Sequence, residues 1–236
     1  MPAGIGTMRM TASQLLAIFA VYGRFYEKRI AGVPEQLRDR LEIAPIAWPI
    51  HEVVDREPDL LVVMMNPGAS RPLDALWSQS SESGFVPTQP DRTQYQIMHL
   101  LLAAQKAGLT WQHARVLNLS DLRTPKSAVF LEKLNLYSED DSHSVFSKTR
   151  ASERDALFGC RTTPVLCAWG MSPQFGALAA RALAAASGHP LLGLSADGLA
   201  YRHPLPQRHD LQLQWSDLVA AQISRFCTHQ ADIEPA

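Results

Sequence analysis

The stretch Leu60-Leu-Val-Val-Met-Met65 constrains the fold more than any other. It is an unbroken apolar run cut off by Asn66-Pro67-Gly68. A run of this length between turn residues reads as a strand buried on both faces, as in a parallel sheet covered by helices on each side. Ligands of open α/β sheets bind beyond the carboxyl ends of such strands. Asn66 therefore stands where an amide can face a ligand, although by itself the tripeptide is equally a plain turn.

The remaining pattern alternates between the two periods. Arg115–Leu119 reads as a second strand, Thr163–Trp169 as a third and Pro190–Leu194 as a short fourth. Between and after them, helices are expected over Thr93–Gly108, capped by Asp91 or Thr93, over the alanine-rich Gln174–Ala186, and over Trp215–Phe226. This order predicts a three-layer α/β/α sandwich with a short, mainly parallel four-stranded sheet. Upstream, a helix is expected from about Ala12 to Ile30, opened by Thr11 or Ser13 and broken at Gly32-Val-Pro34, with a second short helix over Glu35–Leu41. The expected division is a helical extension over residues 1–55, an α/β domain over 56–227 and a frayed tail over 228–236. Residues 69–92 are polar and turn-rich, and they read as a lid or substrate-contacting loop over the Asn66 edge.

Composition narrows the function classes. With 236 residues and 46% hydrophobic content, the chain can bury a full core. A formal net charge of −1 gives no global basic field, so nucleic-acid binding must rest on a local patch. Cys160, Cys167 and Cys227 are scattered, which suggests a reducing compartment without disulfides and lacks zinc or iron–sulfur spacing. No metal and no cofactor are expected. Glu139-Asp140-Asp141 beside His143 reads as a solvated loop. The apolar stretch Leu15–Tyr22 is too short to span a bilayer and lacks a cleavage signal, so the expectation is a cytoplasmic protein, taken as a monomer with no membrane partner. No P-loop, dinucleotide fingerprint or Gly-x-Ser-x-Gly elbow occurs.

Four strand ends carry polar signatures: Asn66-Pro67-Gly68, Asn118 with Asp121 and Arg123, Trp169-Gly170, and His203-Pro204-Leu205-Pro206. In a parallel sheet they open on one edge. Met64-Met65-Asn66-Pro67-Gly68, Asn118-Leu119, Ala168-Trp169-Gly170 and Gly198…Arg202-His203-Pro204-Leu205 resemble, in order, an uncharacterised bacterial domain family over roughly residues 60–210. The same layout is similar to the uracil-DNA glycosylase superfamily, whose mismatch-specific branch carries Asn-Pro-Gly in its first motif. The resemblance implies a monofunctional DNA glycosylase that flips out a base and hydrolyses its N-glycosidic bond. In that reading Asn66 holds the attacking water and His203 donates a hydrogen bond to the departing base. Pro67, Gly68, Ala69, Asn118, Asp121 and Trp169 line the base, and Leu205 wedges into the stack. Arg71, Arg123, Lys126, Arg202 and Arg208 flank the edge as phosphate contacts. The small Gly68-Ala69-Ser70 leaves room for a C5-modified pyrimidine, including the bulky cytosines of some bacteriophages, so a role in defence against such phage is one expectation. The chain departs from the family in lacking an Asp-Pro-Tyr-His motif and in reading His-Pro-Leu-Pro where relatives have His-Pro-Ser-Pro. A nucleoside or nucleotide hydrolase and a non-catalytic modified-base binder are the alternatives.

Overall fold

The computed structural model describes residues 9–74 and 84–231, with side chains as far as residue 227. The first element, α1 (Ala12–Leu16), is short and is closed by a capping box between Thr11 and Gln14. Where the sequence reading continues that helix, the chain instead forms a long hairpin, β1 (Phe19–Ile30) and β2 (Val33–Pro45). The physical reason is a period of two: Phe19, Val21 and Phe25 are buried, while Ala20, Tyr22, Arg24 and Tyr26 between them are half-buried. Aromatic and β-branched residues favour this pleated setting over a helix. Gly32-Val-Pro34, expected as a helix break, belongs to the hairpin. Ala31 and Gly32 both have positive φ, at 46° and 82°, and join the paired Ile30 and Val33 as a two-residue turn.

Downstream come α2 (Ile50–Asp55), β3 (Leu60–Met64), β4 (Arg71–Pro72), β5 (Phe85–Gln89) and α3 (Arg92–Lys106). They are followed by β6 (Ala114–Asn118), α4 (Ser127–Leu136), α5 (Ala151–Phe158), β7 (Val165–Ala168), α6 (Gly176–Ala185), β8 (Leu191–Leu192) and α7 (His209–Ala231). All the strands join one eight-stranded sheet in the order β4-β5-β1-β2-β6-β3-β7-β8. The expected four-stranded sheet is therefore corrected to a mixed one. Strands β6, β3, β7 and β8 are mutually parallel, as the apolar runs suggest, and β2, β1, β5 and β4 extend them antiparallel. The N-terminal hairpin thus forms the middle of the sheet, paired to β6 through Leu41↔Val116, and is not a helical extension. The ends of the expected loop 69–92 form β4 and β5. The lid reading itself falls on residues 75–83, which lie outside the described residues.

Each face of the sheet carries a core, giving the three layers. On one face Leu41, Ile43, Leu60, Val62, Met64, Val116 and Leu166 pack against α1, α3 and α7. On the other, Leu61, Val63, Leu117, Val165 and Cys167 pack against α4, α5 and α6. Strand β3 is buried on both faces throughout, which matches its uninterrupted apolar sequence. Burying each such side chain contributes about 1.5–3 kcal/mol. Where β2 meets β6, Glu42 is fully buried and binds three partners: Arg40, Arg115 Nε at 2.8 Å and His113 Nε2 at 2.6 Å. No described helix is long and apolar enough to cross a membrane.

Candidate functional site

The parallel strands all end at one edge, and Asn66 emerges there two residues after β3. Its Nδ2 donates to Leu122 O at 3.2 Å, Thr124 O at 2.8 Å and Thr124 Oγ1 at 2.9 Å. Two carbonyl acceptors fix which end of the amide is nitrogen. Asn66 Oδ1 consequently faces away from the 122–124 loop and has no hydrogen-bond partner among the described residues. Pro67 is buried, and Gly68 turns the chain at φ +65°. A Cβ on Gly68 would lie 3.1 Å from Asp91 Oδ2, so the smallness of residue 68 already has an intramolecular cause. The room expected for a C5 substituent then rests on Ala69, which is exposed.

His203 reaches the same edge through the connection from β8 to α7. Tyr201 bridges Gly170 and Ser195, Arg202 N–H donates to Leu194 O at 2.8 Å, and Trp215 Nε1 donates to Arg202 O at 3.0 Å. The His203 ring Nδ1 accepts from Leu205 N–H at 3.1 Å. A nitrogen that accepts carries no proton, so the neutral ring holds its hydrogen on Nε2 and presents a donor. Burial lowers the His203 pKa from its usual value, against the attraction of Asp91 and the bond to Leu205. Asp91 itself caps α3, with Oδ1 accepting from Thr93 and Gln94 N–H at 2.8 and 3.3 Å. Its carboxylate sits beside Gly68 and within electrostatic reach of His203 and Arg38, so it joins the two motifs.

Three buried polar groups complete this edge. Asn118, at the end of β6, is 0% exposed, and neither atom of its amide has a partner. Ser70 is buried with Oγ unbonded, although its carbonyl accepts from Arg123 Nη2 at 3.0 Å. Arg38 is 1% exposed, with Nε and Nη1 unbonded. Burial lowers its pKa to about 10, opposed chiefly by Asp91 and reinforced by the like charge of Arg123. Most buried polar groups in proteins are hydrogen-bonded, so such a cluster calls for an explanation.

The other expected site residues divide. Trp169 and Asp121 do not join this group. Side chains alternate across a strand, so Trp169, following Ala168, falls on the α6 side, where it is 1% exposed and packs on Tyr201 at 5.1 Å. Asp121 binds Tyr26 Oη at 3.0 Å and the Arg150 guanidinium. Its burial raises its pKa against the pull of Arg150, with Asp39 adding to the rise. Leu205 is half-buried at the edge. Of the expected phosphate contacts, Arg71 bonds Gln89 Oε1 at 3.1 Å, Arg123 is spent on Ser70 and Gln36, and Arg208 pairs with Asp210 at 2.5 Å. Lys126 and Arg202 are exposed.

Sequence reading missed Arg38 altogether and gave Asp91 only a capping role. Among the described residues no group of three or more His, Cys, Asp or Glu side chains is arranged to hold a metal ion. Asp140 accepts from Ala31 N–H at 2.9 Å, and Asp141 pairs with Arg181. A separate cavity of about 500 Å³, lined by residues including Arg9, His99, Lys106 and Asp217, opens between α3 and α7; none of the expected site residues lines it. Comparison with family models, curated proteins and solved structures gave no match to this chain.

Proposed function

We propose that the chain is an N-glycosylase that hydrolyses the bond between a pyrimidine base and its sugar in DNA, leaving an abasic site. The observation that carries this reading is the pairing, at one sheet edge, of an amide oxygen left over at Asn66 with a neutral His203 whose Nε2–H is a donor. An amide cannot ionise, so Asn66 Oδ1 accepts a hydrogen bond from a water and orients it without strongly activating it. That suffices where the transition state is oxocarbenium-like and needs little nucleophilic push. As the C1′–N bond breaks, its electron pair goes to the base. The Nε2–H of His203 stabilises the developing negative charge without transferring its proton. The water oxygen bonds C1′ and loses its proton to solvent, and the released base takes up a proton in turn.

The test is the appearance of abasic sites in duplexes carrying uracil, thymine mismatches or hydroxymethyl- and glucosyl-cytosine. Asn66→Ala is expected to abolish product while leaving DNA affinity nearly intact. Activity confined to plain uracil would remove the reading of a C5-modified substrate and, with it, the proposed role against phage DNA. Absence of abasic sites on every duplex would overturn the glycosylase reading.

One observation favours a second reading, hydrolysis of free nucleosides or nucleotides. Arg71, Arg123 and Arg208 are engaged within the chain, so Lys126 and Arg202 are left as exposed cations of the expected set. A monomeric substrate needs no phosphate track. It would be cleaved with little dependence on salt, whereas DNA binding would weaken steeply as salt rises.

A further inference from the structure

Away from the edge of Asn66 and His203, the cavity of about 500 Å³ between α3 and α7 gathers charge around an apolar floor. Three segments build it. Helix α3 supplies His99, Leu102, Ala103 and Lys106, whose spacing puts them on one helical face. Helix α7 supplies Ser216, Asp217 and Ala220, and the chain just before α1 supplies Arg9 and Met10. Arg9 is held in place there: its Nη1 donates to Gln96 Oε1 at 3.2 Å, and the same oxygen accepts from Ser216 Oγ at 2.9 Å. That partner is a neutral amide, and Asp217 acts on Arg9 only at longer range. Leu100 is buried in the floor, Arg9 and His99 are half-buried, and Lys106 and Asp217 are exposed at the rim. Burial lowers the pKa of both Arg9 and His99, and the charges of Arg9 and Lys106 lower that of His99 further. Three basic groups thus repel one another across one space. The dipole of α3 accounts for Lys106 in its last turn but not for Arg9 or His99.

We propose that this cavity binds a small aliphatic monoanion, a carboxylate carried on a short hydrocarbon body, with its charge between Arg9, His99 and Lys106 and its body on the apolar floor. The volume falls within the range of about 300–1,000 Å³ typical of small-molecule sites, and a bare inorganic ion would leave most of it empty. Arg9 and Lys106 face one carboxylate, Asp217, so a single positive charge is in excess while His99 is neutral. One negative charge on the ligand balances it. Arg9 offers a planar fork that matches a carboxylate, Lys106 a point charge and His99 a ring donor. The body is aliphatic because Met10, Leu100, Leu102, Ala103 and Ala220 are the apolar lining, and no Phe, Tyr or Trp ring is present there to stack on an aromatic ligand. An anion among the three basic groups also relieves their mutual repulsion. The site stands independently of any glycosylase activity at the sheet edge.

The test is calorimetry and NMR on the full chain with octanoate, octanamide and acetate as probes. Octanoate is expected to bind about tenfold or more tighter than octanamide, which lacks the charge, and than acetate, which lacks the body. Bound octanoate is expected to raise the His99 pKa, read from its ring-proton shifts, because it offsets the charges of Arg9 and Lys106. By linkage, octanoate affinity then increases as pH falls from 8 to 6. Arg9→Gln keeps an amide donor without the charge and is expected to weaken octanoate about tenfold. Ala103→Trp fills the cavity without removing a charge and is expected to block octanoate while the chain still melts cooperatively. No octanoate binding, octanamide or acetate binding as tightly as octanoate, an unchanged His99 pKa, full affinity in Arg9→Gln, or full affinity in a folded Ala103→Trp would each overturn the proposal. Should Ala103→Trp fail to fold, the three probes on the wild-type chain and on Arg9→Gln decide it.

Discussion

Asn66→Asp is nearly isosteric and reverses one atom of the site. In the native chain Nδ2 donates to Thr124 O at 2.8 Å and Leu122 O at 3.2 Å. An aspartate puts an oxygen there, so the bonds to the two carbonyls become oxygen–oxygen contacts, and only the Thr124 hydroxyl, the third acceptor at 2.9 Å, can turn its hydrogen toward the new carboxylate. Each neutral bond lost costs about 0.5–1.5 kcal/mol and an unsatisfied acceptor adds to that, so for a half-buried residue the expected loss is about 2–4 kcal/mol at pH 8. That is a sizeable share of a stability of roughly 5–15 kcal/mol. When protonated, the introduced carboxyl regains one donor toward Thr124 O, so the folded state favours the acid and raises its pKa above the unfolded value of about 3.9. A group raised in this way keeps its stability below the unfolded pKa and loses it as pH rises through the folded one. Urea titrations of both proteins from pH 4.5 to 8 should show a gap that widens with pH. A variant as stable as wild type at pH 8, with a gap independent of pH, would mean that Nδ2 does not face the 122–124 loop. Asn66 Oδ1 would then not be the water-holding atom.

Two further outcomes concern His203 and Glu42. The proton on His203 is expected to stay on Nε2 with the ring neutral, so kcat should hold level as pH falls from 8 through the usual histidine value of 6.5. Because the folded pKa is lowered, stability from the neutral ring is present above 6.5 and lost as pH falls below it. A rate that climbs as pH drops through 6.5 would instead indicate an imidazolium acting as acid. Glu42→Ala is expected to cost about 3–5 kcal/mol in chemical denaturation, since it strands Arg40 and Arg115 inside the sheet. The folded pKa of Glu42 is lowered by its partners against the opposing effect of burial, so this contribution is present above the unfolded carboxylate value of 4.5 and lost as pH falls through the folded one. A loss under 1 kcal/mol would show that the network is not intact in solution.

The parallel half of the sheet was legible because β3 and β7 are buried on both faces and leave unbroken apolar runs, and β6 interrupts its own run only with Arg115, which Glu42 binds, before ending at Asn118. Leu60–Met64 and Ala114–Asn118 end within a residue of where composition alone places them. Helix α3 was legible through its cap, since Asp91 with Gln94 forms a capping box. The antiparallel half was not. Leu15–Tyr22 has the density of a helical stripe, and a helix does begin within reach of it, at α1. The change to a period of two at Phe19 becomes clear only beside the partner strand at Ala44 and Ile43. Pro34 suited a first helical turn equally well, and only the Ala31-Gly32 turn gives it to a strand.

The same limit hid Arg38. In the sequence it is one of several charged residues in Glu35-Gln-Leu-Arg-Asp-Arg40-Leu-Glu42, where a short helix is expected over Glu35–Leu41. Alternation along β2 would send Arg38, Arg40 and Glu42 to a common face, where Arg40 and Glu42 do pair. The bulge at Asp39 breaks that parity: Arg40 stays opposite Arg24, whereas Arg38 moves opposite Phe25 and passes to the α3 face. One inserted residue therefore separates an arginine bound to a buried carboxylate from one with no partner for Nε and Nη1. A bulge beside a strand end that carries Asn118 re-aims a side chain without moving the sheet. It brings to the edge of Asn66 and His203 a charge from a hairpin that their motif order does not include.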